Sequence, residues 1–278
     1  MKLIADSGST KTDWALVNDE GSVLFLHTQG INPIHQDEAA ITAILTGELL
    51  PQLGGATVSQ LFFYGSGVRP TEQPLMQRLL AQATGAQTVE AHGDLLGAAR
   101  ALCGDAEGVA CILGTGANSC LYDGCRIVMN TPPLGYILGD EGSGAVLGIT
   151  LLNALYKGIL PEGLRQEFEA QYSLTLTDVI DRVYRQPMAN RFLASLSPFV
   201  HAHLQEPAVS DLVVGHFRRF FARNLSAYGR SDLPVSAVGS LAFYYGQQLR
   251  QAALAEGYEL GRIERSPISA LVAYHRQH

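Results

Sequence analysis

The chain has 278 residues, 47% of them hydrophobic and 16% charged, and a formal net charge of −7. That length supports two domains of ordinary size, each with its own core. The acidic balance and the lack of any Lys/Arg run argue against nucleic acid or an anionic membrane as partner, since both are bound chiefly through basic patches.

No apolar run reaches the ~18 residues of a membrane span and no signal peptide precedes the first strand, so the reading is a soluble, cytoplasmic protein. Cys103, Cys111, Cys120 and Cys125 form no Cys-x-x-Cys, and three of them fall in apolar strand-like runs, so buried thiols are expected. The spacing of His201 and His203 sends their rings to different sides of a helix, which leaves zinc little support.

The first strand (Leu3, Ile4, Ala5) runs into Asp6-Ser7-Gly8-Ser9-Thr10-Lys11-Thr12-Asp13. A strand ending in such a loop suits phosphate. Gly8 lets the backbone approach a ligand, Ser9 and Thr10 add hydroxyl donors, and Asp6 can face a metal ion held by the phosphates. The alternative is a polar hairpin turn. A Walker A loop is excluded because Thr10, not glycine, precedes Lys11, and because a second strand (Trp14 to Val17) and a tight turn (Asn18 to Gly21) follow where a P-loop has a helix.

A third strand is expected from Ser22 to His27 and a helix from Asp37 to Leu50. Asn32, before Pro33, serves either turn chemistry or a ligand. A strand from Val58 to Tyr64, a helix from Thr71 to Ala83 and a strand from Gln87 to Ala91 come next. Asp94 opens a small-residue helix, where the local reading is an N-cap worth about 0.5–2 kcal/mol. Strands separated by helices imply a mixed or parallel sheet.

The opening pattern then recurs. Val109 to Leu113 is a strand, Gly114-Thr115-Gly116-Ala117-Asn118-Ser119 a Gly/hydroxyl turn, Ser119 to Tyr122 a strand, Asp123-Gly124 a tight turn and Arg126 to Met129 a strand. Two copies of one hairpin unit suggest a duplicated fold with two phosphate-cradling loops. Asp140 and Glu141 precede a helix from Ala145 to Tyr156 and suit its cap, while Gly139, Gly142 and Gly144 exceed what a cap requires and permit close approach of a ligand. From Pro161 to Arg230 the pattern is amphipathic helix, with Val209, Val213, His216, Phe217 and Phe220 marking a core face. Val235 to Val238 is a strand whose Gly239-Ser240 turn, opening a helix from Leu241 to Glu256, offers a nucleotide site. A strand from Tyr258 to Ile263 and a helix from Ile268 to Arg276 follow.

Asp-x-Gly-x-Thr at the start, Gly-Thr-Gly-x-Asn-Ser, Gly-Asp-Glu-Gly-Ser and a late Val-Gly-Ser, in that order, resemble the N-acetylglucosamine kinases and the broader BadF-type ATPase family of the actin-like sugar-kinase superfamily. The similarity runs essentially end to end. It implies an α/β fold of two ribonuclease-H-like domains with an interdomain nucleotide cleft: an N-terminal domain over 1–105, joined by a helix over 267–278, and a C-terminal domain over 106–266 with a helical insertion.

It also implies ATP-dependent phosphorylation of an amino sugar, most simply N-acetylglucosamine or a related N-acetylhexosamine, with ATP and Mg²⁺. Asp94 would be the general base, a role compatible with capping. Asp6, Gly8, Ser9, Thr10, Lys11, Gly114, Thr115, Gly116, Asn118, Gly239 and Ser240 would bind ATP, with Asp6 reaching the metal through water. Asn32, Asp94, Gly135, Tyr136 and Asp140 would bind the sugar, and homodimerisation is a family expectation. A Trp present in some relatives is replaced near Gly135-Tyr136, and the usual Gly-Ala-x-x-x-Gly by Ser266-Pro267-Ile268-Ser269-Ala270-Leu271. The rivals are an ATPase activator of a 2-hydroxyacyl-CoA dehydratase, whose iron–sulfur cluster would need an exposed Cys such as Cys103, and a non-catalytic sugar-binding module.

Overall fold

The structure, a computed structural model, describes residues 1–8 and 10–278. The chain divides into two compact units, one holding Met1–Ala106, Gly124–Ile127 and Ser266–His278, the other Glu107–Asp123 and Val128–Arg265.

In the first unit, β1 (Lys2–Ser7), β2 (Lys11–Val17) and β3 (Val23–Gln29) make an antiparallel meander, followed by α1 (Glu38–Ile44), α2 (Leu50–Leu53), β4 (Gln60–Gly65), α3 (Gln73–Thr84), β5 (Thr88–Gly93) and α4 (Asp94–Cys103). The strand order is β3-β2-β1-β4-β5, with β1, β4 and β5 parallel.

Alternation along the strands decides what each face buries. Leu3, Ala5, Trp14, Leu16, Leu61 and Phe63 pack with Ile41 and Ile44 of α1 and Met76, Leu79 and Leu80 of α3. Ile4, Ala15, Val17, Phe62 and Tyr64 point the other way, under Ala101 of α4 and Ile268, Leu271 and Val272 of the C-terminal helix (Ile268–Gln277). Helix α4 sits close to the sheet because Gly97 has no side chain: a Cβ there would lie 2.8 Å from the Tyr64 ring. Arg100 Nη1 donates to the Tyr64 hydroxyl (2.6 Å), and that hydroxyl is 2.9 Å from His275 Nε2, tying the C-terminal helix to β4.

The second unit is built on β6 (Glu107–Leu113), β7 (Ala117–Asp123) and β8 (Ile127–Met129), then α5 (Gly135–Leu138) and α6 (Gly144–Tyr156). Five further helices follow: α7 (Glu162–Tyr172), α8 (Leu176–Tyr184), α9 (Ala189–Ala194), α10 (Ser197–Ala202) and α11 (Pro207–Phe220). The unit closes with β9 (Val235–Val238), α12 (Ser240–Tyr244), α13 (Gly246–Ala255) and β10 (Leu260–Glu264). Its sheet runs β8-β7-β6-β9-β10, with β7 antiparallel and β9 parallel to β6, as β2 and β4 are to β1. The hairpin repeat in the sequence is therefore the visible part of a repeated five-stranded sheet.

Three local features differ from the sequence reading. The helix capped by Asp37, whose Oδ1 accepts the Ala40 N–H at 2.8 Å, continues past Leu50 through a π-turn (Leu45–Leu49) into α2. The segment from Leu241 to Glu256 is broken at Tyr245, whose buried ring sends its hydroxyl to the Ser197 carbonyl; that anchor outweighs helical continuity. Cys111 and Cys120 are buried and Cys103 half-buried, but Cys125 is exposed, because it lies in the β7–β8 turn rather than in a strand. Among the described residues no helix is long and apolar enough to cross a membrane.

Candidate active site

In the first unit, β1 carries Asp6 to its C-terminal end and the hairpin register sets it opposite Asp13 on the same face. The Gly8 N–H donates to the Lys11 carbonyl (3.0 Å) and the Gly30 N–H to that of Thr10 (3.0 Å); Ser9 lies outside the described residues. The Ser7 hydroxyl is 2.7 Å from Thr12 Oγ1 and accepts the Ile31 N–H at 3.0 Å, which stitches residues 30–32 to the end of β1. Asn32 follows directly and is 7% exposed. Its Oδ1 accepts the Ile34 N–H at 3.0 Å, so turn chemistry is present at the carbonyl end of the amide.

Asp94 does not cap α4. Gly93 holds the cap position and Asp94 is the first helical residue, where its charge still complements the helix dipole. Burial pushes its carboxyl up to about 6, and the backbone N–H groups of Leu95 and of Asp94 itself pull it back.

Asp6 accepts no side-chain hydrogen bond from a described residue. Burial pushes its carboxyl up to about 7, the charges of Asp94 and Asp13 add to this, and Lys11 opposes it. Asp13 is 5% exposed and well partnered: Lys11 Nζ lies 2.8 and 3.0 Å from its two oxygens and His27 Nδ1 is at 2.7 Å. Like charges directly opposite on a sheet are unfavourable, and one lysine offsets three carboxylates here. Among the described residues no group of three His, Cys, Asp or Glu is arranged to hold a metal ion.

In the second unit, the Gly114 N–H donates to the Gly116 carbonyl (3.0 Å), and the first turn of α6 rests on this loop, Gly144 N–H to Gly114 (2.8 Å) and Ala145 N–H to Thr115 (3.2 Å). Asn118 Oδ1 accepts from the Ser119 N–H and from Asn130 Nδ2, both at 2.9 Å. Gly239 leaves β9 at φ 122°, and a Cβ there would run into the Leu113 carbonyl, so only glycine fits. Ser240 then begins α12, exposed beside the Gly114 loop.

Asp140 has φ 54°, a region that residues with side chains seldom occupy. Its Oδ1 accepts the Gly135 N–H at 3.1 Å, and a Cβ on Gly116 would lie 3.3 Å from its Oδ2. Burial pushes the Asp140 carboxyl up to about 6, with Gly135 opposing and Glu141 adding to the shift. Burial also pushes Glu141 up, but Arg223 (2.8 Å) and Asn224 (3.4 Å) more than offset it and hold that carboxyl below its usual range. Neither residue caps α6. Ser143 does, accepting the Val146 N–H at 3.1 Å. Tyr136 packs partly buried on the core of this unit.

Each unit therefore gathers its own set: Asp6, Lys11 and Asp94 in the first, with Asn32 on the stitched loop, and Gly114 to Gly116, Asp140 and Gly239 in the second. Asp13, Ser143, Arg223 and Asn224 stand at these sites without any role expected of them from sequence. The signal for Asp13 was available: residues placed symmetrically about a tight hairpin turn share a face.

No protein-family model and no curated protein sequence matches the chain. Among solved structures, a candidate N-acetylglucosamine kinase from Porphyromonas gingivalis is 48% identical with a TM-score of 0.97, the match covering 100% of this chain and 99% of that one. A candidate N-acetylglucosamine kinase from Chromobacterium violaceum is 18% identical (TM-score 0.66, covering 98% of each chain). A ROK family glucokinase from Streptomyces griseus, in complex with glucose and AMPPNP, is 14% identical (TM-score 0.59, covering 100% of this chain and 99% of that one), and these last two share the fold. With two like-ordered sheets and near-half identity to the first of these over its whole length, the chain belongs to the N-acetylglucosamine kinase family.

Proposed function

We propose that the chain transfers the terminal phosphoryl group of ATP to a hydroxyl of an amino sugar, N-acetylglucosamine or a related N-acetylhexosamine. The observation that carries this reading is placement: β1 and β5 run parallel in one sheet, so Asp6 near the end of β1 and Asp94 directly after β5 stand at the same edge of it. One carboxyl accepts no side-chain hydrogen bond from a described residue and sits among like charges; the other is held near 6, where a base is ionised at neutral pH yet still proton-seeking.

Asp6 fits a cation, because a carboxylate so surrounded gains from a positive charge beside it. Mg²⁺, when bound with ATP, supplies neutralisation of phosphate charge that an acidic chain otherwise lacks. Asp94 accepts the proton of the attacking hydroxyl as the new O–P bond forms, and the electron pair of the breaking bond leaves with ADP. Such a base is typically worth ~10²–10⁴-fold in rate. Gly8, Thr10 and Lys11 in the first unit, and Gly114, Thr115, Gly116 and Asn118 in the second, bind phosphates. Gly239 and Ser240 bind the adenosine side, and Asn32, Gly135, Tyr136 and Asp140 orient the sugar. Positioning and charge, not covalent chemistry, do the catalysis.

A coupled ADP-release assay across amino sugars tests this. Sugar-dependent turnover, highest with an N-acetylhexosamine, is expected; ADP release that ignores sugar would favour an ATPase activator instead.

A further inference from the structure

Asp13 is given no task by the phosphoryl transfer described above, yet it is among the most tightly held carboxylates of the first unit. It is 5% exposed in the second strand, a place where aspartate is a poor choice, and it stands opposite the like charge of Asp6. Lys11, His27 and Ser266 converge on it, the last at 3.5 Å and from the segment that replaces the usual Gly-Ala-x-x-x-Gly.

Lys11 and Asp13 are two residues apart on β2, so their side chains leave the same face of the sheet as Asp6. The Lys11 side chain is 66% exposed and would sample many rotamers if left alone. Instead its ammonium meets both Asp13 oxygens, at 2.8 and 3.0 Å. An ammonium has three donors, so at least one stays available to an incoming anion. His27, paired with Asp13 across the β2–β3 ladder, brings its Nδ1 to 2.7 Å from Asp13 Oδ1.

We infer that Asp13 is a positioning residue, which holds the Lys11 ammonium on the Asp6 face of the hairpin so that it meets the nucleotide already oriented. This rests on the kinase reading and adds a residue to it. An alternative role, plain repulsion of phosphate by a nearby negative charge, predicts the opposite sign.

The test compares wild type, Asp13→Asn, Lys11→Met and the double variant, by kinetics and by calorimetry with MgADP. Expected are a roughly tenfold rise in KM for MgATP in Asp13→Asn with the sugar KM unchanged, a similar loss in Lys11→Met, and a double variant no worse than Lys11→Met alone. MgADP affinity should fall in parallel. An unchanged or lowered KM for MgATP in Asp13→Asn, or losses that add in the double variant, would overturn the inference. If Asp13→Asn does not fold, Asp13→Glu keeps the charge but displaces it, and must show the same nucleotide-specific loss. Wild type without sugar-dependent turnover would defeat the kinase reading, and MgADP affinity would still decide the role of Asp13.

Discussion

Asp6 lies directly across the β1–β2 hairpin from Asp13, and after burial itself the charges of Asp94 and Asp13 both push its carboxyl up. Asp6 and Asp94 both hold protons at a pH where an unfolded chain has released them, at about 7 and about 6. The folded state binds the extra protons, so their contribution to stability is complete below about pH 4 and is lost as pH rises through 6 to 7. Without nucleotide or cation, Asp6→Asn should therefore gain in Tm relative to wild type on going from pH 5 to pH 8, as read by thermal unfolding. A difference between the two proteins that does not change with pH would contradict the shift.

Asp94→Asn should fold, keep its MgADP affinity and turn over at least ~10²-fold more slowly. In the wild type, kcat/KM should fall as pH drops below about 6, since a protonated Asp94 cannot accept the hydroxyl proton. Near-normal turnover by Asp94→Asn would return the residue to its place as a charge at a helix start.

Asp140→Asn should act on sugar binding. A hydrogen bond to a charged group is worth ~1.5–3 kcal/mol, so KM for the sugar should rise ~10–100-fold, with KM for MgATP little altered. Equal losses for both substrates would mean that the variant disturbs the Gly139-to-Ser143 loop as a whole, not one contact.

Gly239→Ala should cost stability. The alanine must adopt φ 122° and push its Cβ against the Leu113 carbonyl, for at least ~1–3 kcal/mol. Urea unfolding of the variant gives the figure, and a loss under ~0.5 kcal/mol would show that the β6–β9 junction yields easily.

What was readable in the sequence was local. Leu3, Ile4 and Ala5 before a Gly/hydroxyl turn, and Val109 to Leu113 before another, announce strands because strand burial and tight-turn chemistry act over a few residues. The placement of Asp6 at a strand end and Asp94 at a helix start followed from the same short-range rules. What was not readable was fixed from afar. Glu141 is held by a residue 82 positions away, and Asp13 touches one 253 away. The break at Tyr245 comes from a hydroxyl partner on another helix, which no helical periodicity signals. Ser143, not the two acidic residues, caps α6, because the chain bends at Asp140 and Gly142 first and enters the helix only afterwards.

The C-terminal helix covers Ile4, Ala15 and Phe62, yet the ribosome makes it after the entire second unit. During synthesis the nascent first sheet waits with one apolar face covered only in part, by α4, while the intervening segment has a core of its own. The order of synthesis therefore leaves Ile4, Ala15 and Phe62 short of cover until Leu271 and Val272 dock, an apolar surface of the kind that neighbouring chains can meet in the meantime.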